Sequence, residues 1–246
     1  MKVNKIYTSW IIVCSVFITL QTSLIILIKD LFGKLTRKFM DEYSRRWATN
    51  ILKLIKLTYT VVDPHQLTLN SNRAYIVMSN HASLYDIPLI MLALPGSIRM
   101  MAKKELFRVP IWGRAMKHSE FIPIDRSHGR RALRDLKYAK KKLEDGIVIW
   151  IAPEGTRSRT GRLQPFKKGG FMLAKQANAI IIPVGIRGAG KILPPKTLDL
   201  HIKEHVEIHL GKPIDTTEYK VTDRDLLIQD VANSISKAAN IEQPLQ

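Results

Sequence analysis

The chain reads as an α/β fold, a mixed and largely parallel sheet flanked by helices, with an N-terminal membrane-associated two-helix unit in front of it. Three observations predict this. Beyond Pro64, short β-rich apolar runs alternate with helical stretches, the pattern of strands joined by crossover helices. From Ile6 to Ile28 there are 23 residues without a charge. Between that run and about Tyr59, apolar and basic residues recur at helical spacing.

The uncharged run comes first. At about 1.5 Å per residue a helix of that length matches a hydrocarbon core of about 30 Å. Thr8, Ser9, Ser15, Thr19, Gln21, Thr22 and Ser23 make it only moderately apolar, and Lys2, Lys5, Lys29 and Lys34 flank both ends. With only a weak charge bias to orient it, the segment either spans or dips in and returns to the same face. It is long for the apolar part of a cleaved signal peptide and lacks a small-residue cleavage site, so cleavage is not expected.

Phe32, Leu35, Phe39, Tyr43, Trp47, Ile51 and Ile55 then mark an amphipathic helix whose other positions carry Lys34, Arg37, Lys38, Arg45, Arg46, Lys53 and Lys56. After an apolar anchor such a helix belongs at an anionic headgroup layer. Val62-Asp63-Pro64 closes this unit, giving residues 1–63 as anchor and basic helix and 64–246 as the α/β domain. Strands are predicted over Tyr75–Ser79, Ile98–Ala102, Phe121–Ile124, Ile147–Ala152, Ile180–Ile186 and Val206–Leu210. Helices are predicted over Ile87–Leu94, Val109–Met116, Arg130–Leu143, Lys168–Ala177 and Arg224–Ala239. Pro183 would cost a buried central strand a ladder bond, so its strand should border the sheet or bulge.

Composition bounds the chemistry. The 246 residues are 46% hydrophobic and carry a formal net charge of +18, which calls for an anionic partner: nucleic acid, an anionic membrane or a phosphorylated substrate. Basic residues are not interleaved with an aromatic platform and no nucleic-acid-binding motif occurs, so no nucleic acid partner is expected. The single cysteine, Cys14, excludes an internal disulfide. His65, His118, His128, His201, His205 and His209 show no metal-ligand spacing, and no structural metal is expected.

Polar motifs gather at predicted strand ends. Asn80-His81-Ala82-Ser83-Leu84-Tyr85-Asp86 follows one strand, Arg126 another and Pro153-Glu154-Gly155-Thr156-Arg157-Ser158 a third. In open α/β sheets the carboxyl ends of parallel strands share one ligand-binding rim. A histidine and a carboxylate five apart can act as one proton-accepting unit suited to an alcohol. Ser83-Leu84-Tyr85-Asp86 also matches a capping box, but Pro88 falls past the first turn with Ser83 as the cap and sits inside it with Asp86 as the cap. Asp86 then opens the helix and can still face His81, with Ser83 as a local hydrogen-bonding support. A serine hydrolase based on Ser83 is poorly supported, since no GxSxG elbow occurs.

NHASLYD, FIPIDR, PEGTRS and IIPVGI occur in the order of the four sequence blocks of the glycerolipid acyltransferases, and the chain resembles that family, most nearly its bacterial lysophosphatidic acid acyltransferases. The resemblance implies transfer of a fatty acyl group from acyl-CoA or acyl carrier protein, as co-substrate and with no cofactor, to the hydroxyl of lysophosphatidic acid or another lysolipid such as lyso-ornithine lipid. It makes His81 the general base, Asp86 its orienting partner, and Asn80 and Ser83 motif supports. Arg126 and Arg157 become the acceptor-phosphate ligands, with a point charge from Lys103 or Lys104, and Glu154, Gly155 and Thr156 the acceptor loop. Gly155 permits a tight turn, and Glu154 has the alternative role of structural partner to an arginine. The implied location is a bacterial inner membrane with the catalytic domain on its cytoplasmic face. The different-class alternative is a non-catalytic basic membrane-binding protein, which leaves the NHASLYD and PEGTRS loops without purpose. Ser119-Glu120-Phe121, where the family often has a glycine before the aromatic, Pro123, and Gly185 in place of a common alanine depart from the pattern.

Overall fold

Strand alternation at the centre of the sheet divides the molecule into two layers. In the computed structural model, which describes residues 1–125 and 129–242 and only the backbone of 129–133, the strand Tyr75–Ser79 is buried along its whole length. Tyr75 and Val77 face one apolar cluster, and Ile76 and Met78 face the other. This is the behaviour of a strand covered on both faces.

Among the described residues eight strands form the sheet: β1 (Thr58–Val62), β2 (Tyr75–Ser79), β3 (Ser97–Lys103), β4 (Ile122–Ile124), β5 (Ile147–Ile151), β6 (Ile180–Arg187), β7 (His205–Leu210) and β8 (Ile214–Asp215). Their order is β1-β7-β6-β2-β5-β3-β4, with β8 also on β6. The run β6-β2-β5-β3-β4 is parallel throughout, while β7 and β8 lie antiparallel to β6 and β1 lies parallel to β7. The sheet is therefore mixed and largely parallel, as expected.

Among the described residues seven α-helices accompany it: α1 (Lys5–Leu31), α2 (Arg37–Leu54), α3 (Asp86–Ala93), α4 (Trp112–His118), α5 (Gly129–Glu144), α6 (Lys168–Gln176) and α7 (Arg224–Ala239). Ile11 of α1, Ile51 and Leu52 of α2 and Leu89 and Ile90 of α3 share the layer faced by Tyr75 and Val77. Leu136 of α5, Phe171 of α6 and Val231 of α7 occupy the opposite layer.

The amphipathic stretch ends earlier than its spacing implied. Helix α2 stops at Leu54 rather than near Tyr59, Lys56 turns the chain at φ 54°, and Thr58–Val62 joins the sheet. β-Branched Thr58, Thr60, Val61 and Val62 favour that extended state. The buried stripe of α2 is Met40, Ala48, Ile51 and Leu52. Phe39 and Tyr43 instead stack on each other at 4.2 Å, half-exposed, with the Lys29 ammonium 5.2 Å from the Phe39 ring.

Helix α1 lies along the domain instead of projecting from it. Thr8, Ser15, Thr19 and Ser23 lie on its inner, cavity-lining side, and each hydroxyl donates to the carbonyl four residues back at 2.7–3.1 Å. Trp47 of α2 donates its Nε1–H to Thr19 at 3.0 Å. The outer face exposes Ile6, Trp10, Val13, Phe17, Leu24, Ile28 and Leu31. Among the described residues α1 is the one helix long and apolar enough to cross a membrane.

Three unusual residues in the sequence blocks have physical reasons. Pro183 lies in a central strand, neither at an edge nor in a bulge, but its missing N–H falls where the antiparallel partner changes from β8 to β7. Its carbonyl accepts from Gly211 on that side at 2.8 Å, and a strand residue's N–H and C=O point the same way. Pro123 sits in the edge strand β4, where proline is tolerated. Gly185 meets α7 so closely that a Cβ there would lie 2.1 Å from the backbone of Ala238 and Ala239.

Glu120, before the aromatic of the second block, adopts φ 65°, a conformation costing a side chain about 1–2 kcal/mol. Its carboxylate accepts from Arg37 of α2 at 3.0 and 3.1 Å and from Lys142 of α5 at 2.8 Å. Those ion pairs offset the strain and tie both layers to the start of β4. Burial alone would push this carboxyl up, but the two cations hold it down at about 2.

Two stability measurements check these assignments. Gly185→Ala overpacks the β6–α7 contact and should cost about 1–3 kcal/mol, whereas Gly169→Ala, with nothing within 4 Å of the added Cβ, should be neutral or stabilising in thermal melts. Glu120's folded pKa lies below its unfolded one, so its contribution is full above pH 4.5 and is lost as pH falls toward about 2. Because Arg37 is 37% exposed and solvent-screened, wild type should exceed Glu120→Gln by about 1–2 kcal/mol at neutral pH, a gap closing in acid.

Candidate active site

The loop leaving β2 is held by side chains that act as backbone. Asn80 closes a two-bond pair with Ile186 at the end of β6, its Nδ2 donating at 2.9 Å and its Oδ1 accepting at 2.8 Å. Next in the chain, the His81 N–H donates to Glu154 at 2.8 Å and the His81 carbonyl accepts from Ser158 at 2.7 Å. The Pro153–Ser158 loop after β5 thus grips His81 on both sides.

One carboxylate oxygen organises the side chain. Asp86 Oδ2 accepts from His81 Nδ1 at 2.7 Å, from the Ala82 N–H at 2.8 Å and from the Ser83 N–H at 2.9 Å. Asp86 is fully buried. An ionised carboxylate only accepts, so the imidazole proton sits on Nδ1 and Nε2 keeps its lone pair. The His81 side chain is 17% exposed, and its ring stands edge-on to Trp150 with centroids 5.8 Å apart. Trp150 is itself tied to Ser79 at 3.0 Å.

The cap differs by one residue from expectation. Tyr85 occupies the N-cap position of α3 and Asp86 is the first helical residue, which leaves Pro88 within the first turn, where an N–H has no helical partner. Asp86 therefore does not cap its own helix. Its Oδ2 serves the loop before it, and its Oδ1 is buried without a partner among the described residues. Ser83 is buried and its hydroxyl accepts from the Tyr85 N–H at 3.4 Å.

Glu154 is 2% exposed, and its second oxygen accepts from the Gln164 N–H at 2.9 Å. Burial pushes its carboxyl above the usual range, while the amides of Gln164 and His81 pull the other way. Its partners are backbone amides rather than an arginine. Gly155 takes φ 74° and closes the turn by donating to the Ala152 carbonyl at 3.0 Å.

The cationic residues are placed less tightly. Lys103, exposed, ends β3 on the rim where β2 and β5 also end. Thr156 is exposed and Arg157 half-exposed on the loop after β5. Among the described residues Lys103 and Arg157 make no ion pair. Arg126 lies outside the described residues. Its predecessor Asp125 is buried and donates its N–H to Asp135 of α5 at 2.7 Å.

Beside the heptad lies a cavity of about 540 Å³, walled by Ile11, Ser15 and Thr19 of α1, Trp47 of α2, Trp112 of α4 and Tyr85. Leu84 also lines it, so the cavity reaches the segment that carries His81 and Asp86. The fourth-block residues Ile180–Ile186 do not line it and pack as ordinary sheet core. Sequence reasoning missed these α1 residues. The four-residue spacing of Ser15, Thr19 and Ser23 inside an apolar run was the available signal.

A family model described as Acyltransferase matches residues 60–187. The chain is 29% identical over 211 residues to a chloroplast 1-acyl-sn-glycerol-3-phosphate acyltransferase of Brassica napus, covering 86% of this chain and 59% of that protein. It is 30% identical over 171 residues to the 1-acyl-sn-glycerol-3-phosphate acyltransferase of Helicobacter pylori, covering 69% and 70%. It thus spans less than two-thirds of the Brassica relative's length. The crystal structure of a 1-acyl-sn-glycerophosphate acyltransferase from Thermotoga maritima superposes with a TM-score of 0.81 at 22% identity over 96% of this chain and 95% of that one, a likeness of fold.

The tautomer is directly measurable. Nitrogen-15 NMR at neutral pH should find His81 protonated at Nδ1, and Asp86→Asn, which offers a carbonyl or an amide in place of an obligate acceptor, should move protons onto Nε2. An unchanged tautomer in the variant would remove Asp86 as the orienting group.

Proposed function

The chain belongs to the acyltransferase family, and from that premise we propose that it moves a fatty acyl group from acyl-CoA or acyl carrier protein to the free hydroxyl of lysophosphatidic acid, giving phosphatidic acid. The observation that carries this reading is the His81–Asp86 bond of 2.7 Å, which leaves Nε2 with a lone pair on a segment whose Leu84 and Tyr85 line an apolar cavity.

Nε2 takes the proton of the acceptor hydroxyl as its oxygen attacks the thioester carbonyl. Asp86 stabilises the imidazolium that forms. The tetrahedral intermediate collapses with rupture of the C–S bond, and the imidazolium returns its proton to the leaving thiolate. No covalent acyl-enzyme and no resident cofactor or metal enters this scheme. The amides of His81, Ala82 and Ser83 are already bonded to carboxylates, so oxyanion stabilisation falls to other donors on the rim.

Arg157 binds the acceptor phosphate, because its guanidinium fork matches phosphate oxygens and has no competing carboxylate among the described residues. Arg126 is assigned the same task and Lys103 adds a charge. Gly155 and Thr156 shape the acceptor loop, while both Glu154 oxygens hold backbone amides. The cavity takes the acyl chain.

Residues 1–63 provide membrane contact and 64–246 the chemistry, although β1 also belongs to the sheet. Inward side chains from Thr8 to Ile26 line the cavity, so a perpendicular crossing of α1 would drag α2 and α4 into hydrocarbon. The helix therefore lies in the interface with its apolar face down. We assign the protein to the cytoplasmic face of a bacterial inner membrane, a reading supported by the need for a thioester donor.

In vesicles supplied with lysophosphatidic acid and either donor, His81→Ala should lose about 10²–10⁴-fold in kcat while remaining vesicle-bound. Arg157→Ala should raise the acceptor KM by about tenfold or more, the loss of a charged hydrogen-bonding group. Full activity of His81→Ala would overturn the proposal, and a panel of other lysolipids reads the acceptor directly.

A further inference from the structure

We propose that the outward face of α5 is the docking surface for a small acidic carrier protein that presents the acyl thioester, an inference that rests on the acyl-transfer reading above. Helix α5 sends Leu136, Ala139 and Leu143 into the layer it shares with α6 and α7. Arg134, Lys137 and Lys141 stand exposed on its other side. Their spacing of three and four residues puts them in one stripe.

The stripe has no internal counter-charge. Of the carboxylates on this helix, Asp135 accepts the Asp125 N–H at 2.7 Å and Glu144 faces Lys140 at 3.5 Å. Lys142 turns away to Glu120 at 2.8 Å. Among the described residues Arg134, Lys137 and Lys141 have no ion-pair partner, although like charges at this spacing repel one another.

A membrane does not account for it. The apolar outer face of α1 belongs to the layer faced by Tyr75 and Val77, and α5 to the layer faced by Ile76 and Met78. The sheet stands between them, so a flat surface in contact with α1 does not reach the outward face of α5. The anion recognised by α5 is therefore in solution. The stripe extends about 10 Å along the helix axis, the scale of charges spread over an acidic protein surface rather than of one phosphate. Tyr138, the aromatic on this helix, is already met by the Lys142 ammonium 5.7 Å from its ring centre, which disfavours base stacking.

The position suits a donor. Helix α5 starts just beyond β4, whose end lies beside that of β3, and β2 and β5 end on the same rim. A carrier lying along α5 therefore has the rim that holds His81 within reach.

The test compares wild type with the combined variant Arg134→Glu, Lys137→Glu, Lys141→Glu on vesicles of phosphatidylethanolamine and phosphatidylglycerol. Two readouts are taken: binding of acylated carrier protein to the vesicle-bound enzyme, and transfer from carrier protein and from acyl-CoA. We expect salt-sensitive carrier binding that the variant loses, a KM for the carrier-protein donor raised about tenfold or more, and unchanged kinetics with acyl-CoA. Failure of wild type to bind the carrier, equal binding by the variant, an equal loss with both donors, or loss of vesicle binding would each overturn it. If neither donor supports transfer the acyl-transfer reading falls, and the binding measurement still decides the docking surface. Should the charge reversal unfold the protein, the set Arg134→Gln, Lys137→Gln, Lys141→Gln repeats the comparison, with a smaller rise in carrier KM expected.

Discussion

The site depends on a single oxygen. Asp86 Oδ2 gathers one imidazole and two amide donors within 2.9 Å, so the shape of the loop and the tautomer of its histidine are set by the same group. A buried carboxylate is costly unless donors converge on it, and here convergence is reached only if residues 81–83 fold back over the start of α3. Glu154 repeats the device from the other side, since the amides it accepts belong to His81 and Gln164. Two buried carboxylates from different loops thus fix one histidine, and their desolvation cost is met largely by backbone donors.

Local conformation in this chain is repeatedly decided by distant packing. Glycine at 185 is required by a helix arriving from some fifty residues later in the chain, through the close approach of Ala238 and Ala239. Glutamate at 120 keeps a left-handed backbone because Arg37 and Lys142, from opposite layers, converge on its carboxylate. Of the departures from the family pattern, Glu120 and Gly185 are each explained by a contact distant in sequence.

The legible parts were those whose signal is local. The parallel strands β2, β5 and β6 are continuous apolar runs because both faces are buried, and their order in the chain was enough to bring the His81 and Arg157 loops to one rim. The His81–Asp86 pair was legible because five residues at a helix start limit the geometry. Strand β1 was hidden because Tyr59 continues the four-residue spacing of Ile51 and Ile55. The cap position was misread by one residue, since Asp86 turned out to serve the preceding loop. The cavity was illegible because its walls come from α1, α2 and α4, and periodicity within one helix does not say which helix packs opposite.

The inward row of hydroxyls on α1 carries a consequence for selectivity. Each donates to its own helix, so these groups offer little directional bonding to whatever fills the space beside them. A wall of that kind distinguishes occupants by contour and length rather than by polar groups along them. On the proposed reading, chemical discrimination is then confined to the polar rim, and the lipid-filled part of the enzyme acts as a gauge of size.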